Sequence, residues 1–185
     1  MNAEKLRYVH VPEVHNRTSP RLIVPLIIDM LHPRSVVDVG CGLGTFLAVF
    51  EENGVEEVLG LEGEWLDTKN LEISKEKVII ADLEKEFRSD KKFDLALCIE
   101  VAEHLSPHSA DTLVNTLTGL SDVILFSAAV PGQGGQNHIN EQWATYWQAK
   151  FAAKGYSYYD EIRSKIWNNK EIEWWYKQNA FLVIK

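Results

Sequence analysis

The chain has 185 residues, of which 45% are apolar, and it carries a formal net charge of −8. This length and composition are typical of one globular domain, which we assign to residues 1–185. The acidic balance and the lack of any Lys/Arg run exclude the basic patch that nucleic-acid-binding proteins use. We therefore expect no nucleic acid among the partners of this protein.

The two cysteines, Cys41 and Cys98, have no second cysteine at the spacing of a metal site. We interpret both as small buried side chains of a protein kept in a reducing compartment. The first residues lack the apolar core of a signal sequence, and no apolar run is long enough to span a membrane. These features favour a cytoplasmic protein with no membrane partner.

The first eighteen residues, 1–18, show no regular period. We interpret them as an N-terminal tail or as a lid over a ligand. Tyr8, His15 and Asn16 are unusual residues for a tail that contacts nothing, and they keep the lid interpretation open.

A first helix is predicted to begin at Ser19, which caps it, with Pro20 in its first helical position. Apolar residues recur at helical spacing up to Met30. Pro25 lies inside this pattern and predicts either a kink or a later start. The proline at position 33 predicts that the helix ends just before it.

Strands and helices alternate over the middle of the chain. The predicted strands are 35–39, 55–61, 77–81, 93–99 and 122–127, and the predicted helices are 45–53, 64–72 and 107–119. Such alternation favours a parallel sheet built from right-handed βαβ units.

The last third of the chain begins with a loop over 128–140 that is rich in Gly, Gln and Asn. A helix is predicted for 140–154, because Gly155 follows it as an end signal. Two final strands are predicted for 156–166 and 179–184.

A glycine-rich turn joins the first strand to the next helix and begins with Asp38-Val-Gly-Cys-Gly-Leu-Gly. Glycines at 40, 42 and 44 allow backbone N–H groups to approach a ligand closely, and the helix presents its positive end there. The dinucleotide fingerprint G-x-G-x-x-G would need a glycine at Thr45. The spacing therefore disfavours a pyrophosphate site.

Acidic residues follow the next three strands at Glu62, Asp82 and Glu100. Ligands of open α/β sheets bind outside the carboxyl ends of the strands, so these acids should lie beside the glycine turn. Glu62 comes 18 residues after Gly44, near the position of the acid that accepts both protons of a ribose diol. Each acid alone is equally compatible with a solvated strand end, but their order and spacing together are more specific.

The glycine turn, Glu62, Ala-Asp-Leu at 81–83 and the segment 94–105, which contains Glu-Val-Ala-Glu-His, resemble class I S-adenosylmethionine-dependent methyltransferases. The resemblance covers about residues 35–127 and the last strand. It implies a single-domain, doubly wound, Rossmann-like α/β fold. The implied sheet has seven strands and is mostly parallel, with an antiparallel C-terminal strand.

The resemblance also implies S-adenosyl-L-methionine as the cofactor. The glycine turn would surround the methionine end, with Asp38 near the ammonium group, and Asp82 would accept a hydrogen bond from the adenine amino group. The residues assigned to the cofactor in this way are Asp38, Gly40, Cys41, Gly42, Gly44, Glu62, Gly63, Asp82, Leu83 and Glu100.

In this family the segment after the fifth strand lines the acceptor side, so 128–140 is the predicted acceptor loop. Polar residues in and after it suit a small-molecule acceptor such as a sugar or polyol, with a hydroxyl as the methylated group. They are Gln133, Gln136, Asn137, His138, Asn140 and Gln142. Trp143 and Trp147 lie four residues apart, and we favour core packing over substrate stacking for both.

His138 is predicted to orient or deprotonate the acceptor hydroxyl, because imidazole titrates near neutral pH. A solvated loop position is the alternative for this residue. His104, in the Glu-His element, is the second candidate, with packing or helix capping as its alternative.

No metal is predicted. His104 and His108 are four residues apart, but a proline separates them. We therefore expect methyl transfer to survive chelation. If it does not, the first ligands to examine are Asp82, Glu100 and Glu103.

Other classes of function stay open on the sequence. A module that binds the cofactor without catalysis would not need the polar loop after the fifth strand. An NAD-dependent or nucleotide-sugar oxidoreductase is disfavoured by the early third glycine. Methylation of a protein is a further alternative, and nucleic acid is the acceptor that the negative charge disfavours most.

Overall fold

The structure is a computed structural model that describes residues 8–11 and 14–185. Part of the predicted tail or lid over 1–18 therefore lies outside the described residues. Among those described, no helix combines the length and the apolar character needed to cross a membrane.

One sheet runs through the centre of the domain. Its strands are β1 Ser35–Val39, β2 Glu57–Glu62, β3 Val78–Ile80, β4 Leu95–Ile99, β5 Val123–Ser127, β6 Ser157–Tyr159 and β7 Phe181–Ile184. Their order is β3-β2-β1-β4-β5-β7-β6, and all pairs are parallel except those of β7 with β5 and with β6. The predicted seven-stranded, mostly parallel sheet with an antiparallel C-terminal strand is confirmed.

Helices cover both faces of this sheet. They are α1 Thr18–Leu31, α2 Thr45–Glu52, α3 Ala110–Leu120, α4 Ala144–Ala152, α5 Arg163–Ile166 and α6 Trp174–Asn179. Alternate residues of β1 point to opposite faces, so Val36 packs with α1 and α2 while Val37 packs with α3 and α4. A strand buried on both faces is mainly apolar, which explains the apolar residues of β4 and the valines of β1. The buried Asp38 of β1 is the exception.

Three of the predicted elements are wrong in type or extent. The predicted helix 64–72 contains only a 3₁₀ turn at Thr68–Asn70. The Asp67 carboxylate accepts hydrogen bonds from the Lys69 N–H and the Asn70 amide, and such a local turn competes with helix formation. In place of the predicted helix 140–154, α4 begins only at Ala144. In place of the predicted strand 156–166, the strand β6 ends at Tyr159 and the short helix α5 follows it.

The start of α1 also differs from the prediction. The helix begins at Thr18, where the Asn16 side chain accepts a hydrogen bond from the Thr18 N–H. Pro25 lies inside the helix at an exposed position and does not end it. The helix ends as predicted, with His32 in the left-handed conformation.

Gly40, directly after β1, shows why this turn requires glycine. Its φ is +84°, and a Cβ atom there would lie 2.4 Å from Cγ2 of Val101. Gly54 has a nearly identical φ of +87°, but nothing lies within 4 Å of the position of its absent Cβ. A side chain at Gly54 would therefore meet backbone strain alone, whereas a side chain at Gly40 would meet the same strain and a steric overlap.

We predict that Gly54→Ala lowers the free energy of unfolding by about 1–2 kcal/mol, the cost of a side chain in the left-handed region. Gly40→Ala should cost roughly 1–3 kcal/mol more, because the neighbouring valine has to move. Urea denaturation measures both. Equal losses in the two variants would show that Val101 does not constrain the turn.

Candidate functional site

A cavity of about 590 Å³ lies at the carboxyl ends of β1, β2 and β4. The glycine turn and the strand ends form one wall, and the loop after β5 forms another. Residues 8, 10, 11 and 14–16 of the N-terminal segment also line the cavity, as do Trp174 to Tyr176. This is the position in which open α/β sheets bind ligands.

The Glu62 carboxylate fixes the shape of the wall that the glycine turn forms. Its Oε2 accepts the N–H of Gly42 at 2.7 Å, and its Oε1 accepts the N–H of Gly63 at 2.8 Å. The carbonyl of Leu61 accepts the N–H groups of Gly40 and Cys41. The end of β2 therefore holds the turn that follows β1. Burial raises the pKa of Glu62, and the two N–H donors partly oppose this effect.

Asp38 is the second buried acid of this wall, with 3% of its surface exposed. Burial, followed by the charge of Glu62, raises the pKa of Asp38 to about 7. Two carboxylates share one desolvated corner of the cavity, so a positively charged ligand group would be stabilised there.

Eight of the ten residues predicted to hold the cofactor line this cavity: Asp38, Gly40, Cys41, Gly42, Glu62, Asp82, Leu83 and Glu100. Gly44 and Gly63 do not lie on its wall. Gly44 is the left-handed residue that precedes α2, and Gly63 donates its N–H to Glu62. Their contribution is to shape the wall.

Glu100 follows β4 in a strained left-handed conformation, with φ of +54°. Its N–H bonds Ser127 at the end of β5, and its carboxylate accepts hydrogen bonds from the amides of Gln133 and Asn179. Two elements that are distant in sequence, the loop after β5 and the end of α6, therefore meet on this one carboxylate. Gln133 is used in this structural contact.

His138 is held by a carboxylate that the sequence analysis did not single out. Nδ1 of His138 lies 2.9 Å from Oε1 of Glu141. The same carboxylate accepts the N–H groups of Gly132 and Gly134 at 2.7 and 2.9 Å. Glu141 thus orders the loop and orients the imidazole. The sequence does not reveal this role, because it depends on how the loop folds back on itself.

His104 and His138, the two predicted catalytic residues, are brought together. Their ring centroids are 4.8 Å apart, and both rings line the cavity. Burial, followed by the charge of His138, lowers the pKa of His104 to about 4, so His104 is neutral at physiological pH. Glu103, adjacent in sequence, also lines the cavity and is fully buried.

The described part of the N-terminal segment covers this corner, as a lid would. The Tyr8 ring packs edge-on against His104, with centroids 4.8 Å apart, and its hydroxyl lies 3.1 Å from Nε2 of His15. The His10 ring lies over the backbone of Gly42. The segment therefore contacts both the glycine turn and the corner that holds His104.

Other residues named from the sequence lie elsewhere. Asn140 and Gln142 hydrogen bond each other and do not line the cavity, whereas Gln136 and Asn137 do. Trp147 is a core residue, as favoured, but Trp143 precedes α4 and is 61% exposed.

The aromatic wall of Trp174, Trp175 and Tyr176 was missed, because α6 was not predicted. Only the unusual local density of aromatic residues marks that segment in the sequence.

A family model described as a methyltransferase domain matches residues 12–184. The chain belongs to this family. The predicted class of enzyme and its cofactor are thereby confirmed: the protein is an S-adenosylmethionine-dependent methyltransferase. None of the curated proteins compared with the chain matches its sequence.

Several solved structures share the fold. Streptomyces venezuelae DesVI has a TM-score of 0.66 and 15% identity, over 90% of this chain and 92% of that one. The sugar N-methyltransferase KedS8 from Streptoalloteichus sp. ATCC 53650 has a TM-score of 0.61 and 13% identity, over 91% and 87%. A SAM-dependent methyltransferase from Archaeoglobus fulgidus has a TM-score of 0.59 and 16% identity, over 89% and 94%.

The position of Asp38 leads to a pH-dependent prediction for this methyltransferase. If Asp38 faces the cofactor ammonium group, only its ionised form attracts that group. Affinity for S-adenosylhomocysteine should then rise between pH 5.5 and 7.5, by up to about tenfold per pH unit below the pKa. Asp38→Asn should bind more weakly at pH 7.5 and lose this pH dependence.

Isothermal titration calorimetry across this range measures the effect. Glu56→Gln, which removes an exposed acid, is the matched control and should behave as the unmodified protein does. An Asp38→Asn variant that keeps the pH dependence would place the ammonium group elsewhere.

Proposed function

We propose that the protein transfers the methyl group of S-adenosylmethionine to a hydroxyl of a small, polyhydroxylated acceptor such as a sugar. The observation that carries this proposal is the charge of the cavity wall. Among the described residues that line it are six acids and no Lys or Arg: Asp38, Glu62, Asp82, Glu84, Glu100 and Glu103. Such a wall favours the positively charged sulfonium cofactor and disfavours an acceptor that carries phosphate groups.

The cofactor residues are proposed from the same wall. Glu62 would accept the ribose hydroxyl protons with the lone pairs that Gly42 and Gly63 leave free. Asp38 would face the ammonium group. Asp82, which is partly exposed next to buried Leu83, would meet the adenine amino group.

The acceptor side combines hydrogen-bonding and aromatic groups. Gln136, Asn137 and His138 line it from the loop, and Trp174 and Trp175 line it from α6. Amide and imidazole groups suit hydroxyls, and tryptophan presents an apolar surface with one polar atom. This composition supports a sugar-like acceptor over an apolar one.

The N-terminal cover supports a small acceptor over a protein or a nucleic acid. Tyr8, His10 and His15 line the cavity, so a macromolecular acceptor would have to reach the site past this segment. Both Cys41 and Cys98 are free and buried, which supports a reducing, cytoplasmic compartment.

An amino group on the acceptor is the second candidate for the methylated atom. The acidic wall would attract an amine, and one structural relative is described as a sugar N-methyltransferase. Product analysis by NMR distinguishes an O-methyl from an N-methyl group.

The cofactor assignment is tested by thermal shift. S-adenosylhomocysteine at 100 times its Kd should stabilise the folded protein by about 2.7 kcal/mol, whereas NAD should not. Glu62→Gln keeps one acceptor for the turn but weakens the ribose contact, so it should reduce affinity by roughly 1.5–3 kcal/mol. Stabilisation by NAD alone would refute the proposal. Unchanged affinity for S-adenosylhomocysteine in Glu62→Gln would show that a different acid contacts the ribose.

The acceptor assignment is tested on turnover. His138→Ala should lower kcat by about 10²-fold while the affinity for S-adenosylhomocysteine stays the same, because His138 lies on the acceptor side. His108→Ala changes an exposed histidine outside the cavity and should leave kcat unchanged. Full activity in His138→Ala, with a loss in His104→Ala, would move the role to His104.

A further inference from the structure

Glu103 is the polar side chain of the cavity that is least explained by its neighbours. It has 0% of its surface exposed, and neither carboxylate oxygen has a hydrogen-bond partner among the described residues. The backbone N–H of Ala129 and the carboxyl group of Glu100 are close enough to affect the pKa of Glu103. Neither group forms a hydrogen bond with the Glu103 carboxylate. A buried carboxylate without a partner is costly, so a binding partner for it is expected.

Two histidines face the same point. A carboxylate oxygen of Glu103, a ring nitrogen of His104 and a ring nitrogen of His138 lie within 4.8 Å of one another. The backbone explains this closeness, because the carbonyl of Glu103 accepts the N–H groups of Ile139 and Asn140 at 2.9 and 3.0 Å. The acceptor loop is thus fastened directly to the turn that carries Glu103 and His104.

The hydrogen bonds of the two imidazoles leave ring nitrogens available for a ligand. Nδ1 of His138 contacts the Glu141 carboxylate, which leaves Nε2 available for another partner. A carboxylate behind a histidine commonly fixes the tautomer of a ligating imidazole. Nδ1 of His104 is buried and has no hydrogen-bond partner among the described residues.

We propose that Glu103, His104 and His138 bind one divalent transition-metal ion on the acceptor side of the cavity, with Glu141 as the group that orients His138. Two imidazoles and one carboxylate form a mixed nitrogen and oxygen ligand set. Such a set suits ions such as Mn²⁺, Fe²⁺ or Zn²⁺, whereas Ca²⁺ takes six to eight oxygen ligands. This proposal replaces the expectation from the sequence that no metal is used.

A cation at this point deepens the proposed function, on which this part of the inference rests. Three protein ligands leave positions open for an acceptor hydroxyl, and a bound divalent ion lowers the pKa of an oxygen that coordinates it. The hydroxyl would release its proton to solvent water. Its oxygen would then form the bond to the methyl carbon while the electron pair of the carbon–sulfur bond returns to sulfur, giving the methyl ether and S-adenosylhomocysteine. Neither histidine takes the proton in this step.

The competing explanation is a protonated Glu103. Burial, followed by the charge of Glu100, raises the pKa of Glu103 well above its usual range, so a neutral acid would also lower the cost of burial. That explanation predicts no specific metal binding. It also predicts that the isosteric Glu103→Gln substitution leaves every property of the site unchanged.

The test is a titration of the full chain, without a polyhistidine tag, with Mn²⁺. Loss of the EPR signal of free Mn²⁺ and calorimetry should both give one ion per chain, with S-adenosylhomocysteine absent or present. Mg²⁺ and Ca²⁺ should compete at least tenfold more weakly. This measurement needs no acceptor and no turnover, so it is independent of the proposed function. A protein that binds Mn²⁺ but not S-adenosylhomocysteine would refute the proposed function and leave the metal site standing.

The variants are graded. His104→Ala and His138→Ala should abolish stoichiometric Mn²⁺ binding, and Glu141→Gln should weaken it by about 10–100-fold. His108→Ala is the matched control and should bind Mn²⁺ normally. Each variant is first shown to be folded by circular dichroism. Absence of Mn²⁺ binding by the unmodified protein, or equal binding by His138→Ala and His108→Ala, would overturn the proposal.

Discussion

The hydrogen bonds that the Glu62 carboxylate accepts from Gly42 and Gly63 are the contacts on which the glycine-turn wall of the cavity depends. They tie the turn after β1 to the end of β2, so the turn cannot be placed without the neighbouring strand. The parallel register supplies the alignment, since Val39 of β1 lies opposite Leu61 of β2. One residue therefore both shapes the wall and lines the cavity. A charge-assisted bond of this kind is worth more than a neutral one, and it is worth most where water is excluded.

The loop after β5 is organised by the same principle with a different carboxylate. The segment from Gly132 to His138 has no regular secondary structure, and its order comes from contacts with single groups. The Glu141 carboxylate accepts two of its backbone N–H groups, and the backbone carbonyl of Glu103 holds the residues that follow His138. An irregular loop can position a side chain accurately only when its backbone groups are satisfied in this way.

These two arrangements explain what the sequence could and could not predict. The apolar strands, the glycine turn and the acids at the strand ends follow from local pattern, because each is encoded within a few residues. The partnership of His104 and His138 is not local: it depends on the Glu103 carbonyl, 36 residues before Ile139, and a carbonyl carries no signal in the sequence. The contact of Glu100 with Asn179 spans 79 residues and has the same character.

Errors in secondary structure have a related origin. The prediction of a helix at 64–72 is wrong because the Asp67 side chain accepts a backbone N–H of the next turn. The apolar periodicity on which the prediction relied contains no information about this local hydrogen bond. The helix α6 was missed because it is short and its aromatic residues face the cavity instead of following a helical core pattern. The second of these errors falls where the chain lines the cavity and not the core.

The acidic wall has a thermodynamic consequence that joins these features. Burying carboxylates is unfavourable unless they are protonated or paired with positive charge. Since folding raises the pKa of Asp38 from 3.8 to about 7, the stability that this group contributes is fully present below pH 3.8 and is lost as the pH rises through 7. The ligand-free protein therefore carries uncompensated charge at neutral pH. A positively charged ligand group beside Asp38 would lower that cost, whereas a pyrophosphate would increase it. The buried acids of this cavity therefore favour a cationic ligand over a dinucleotide.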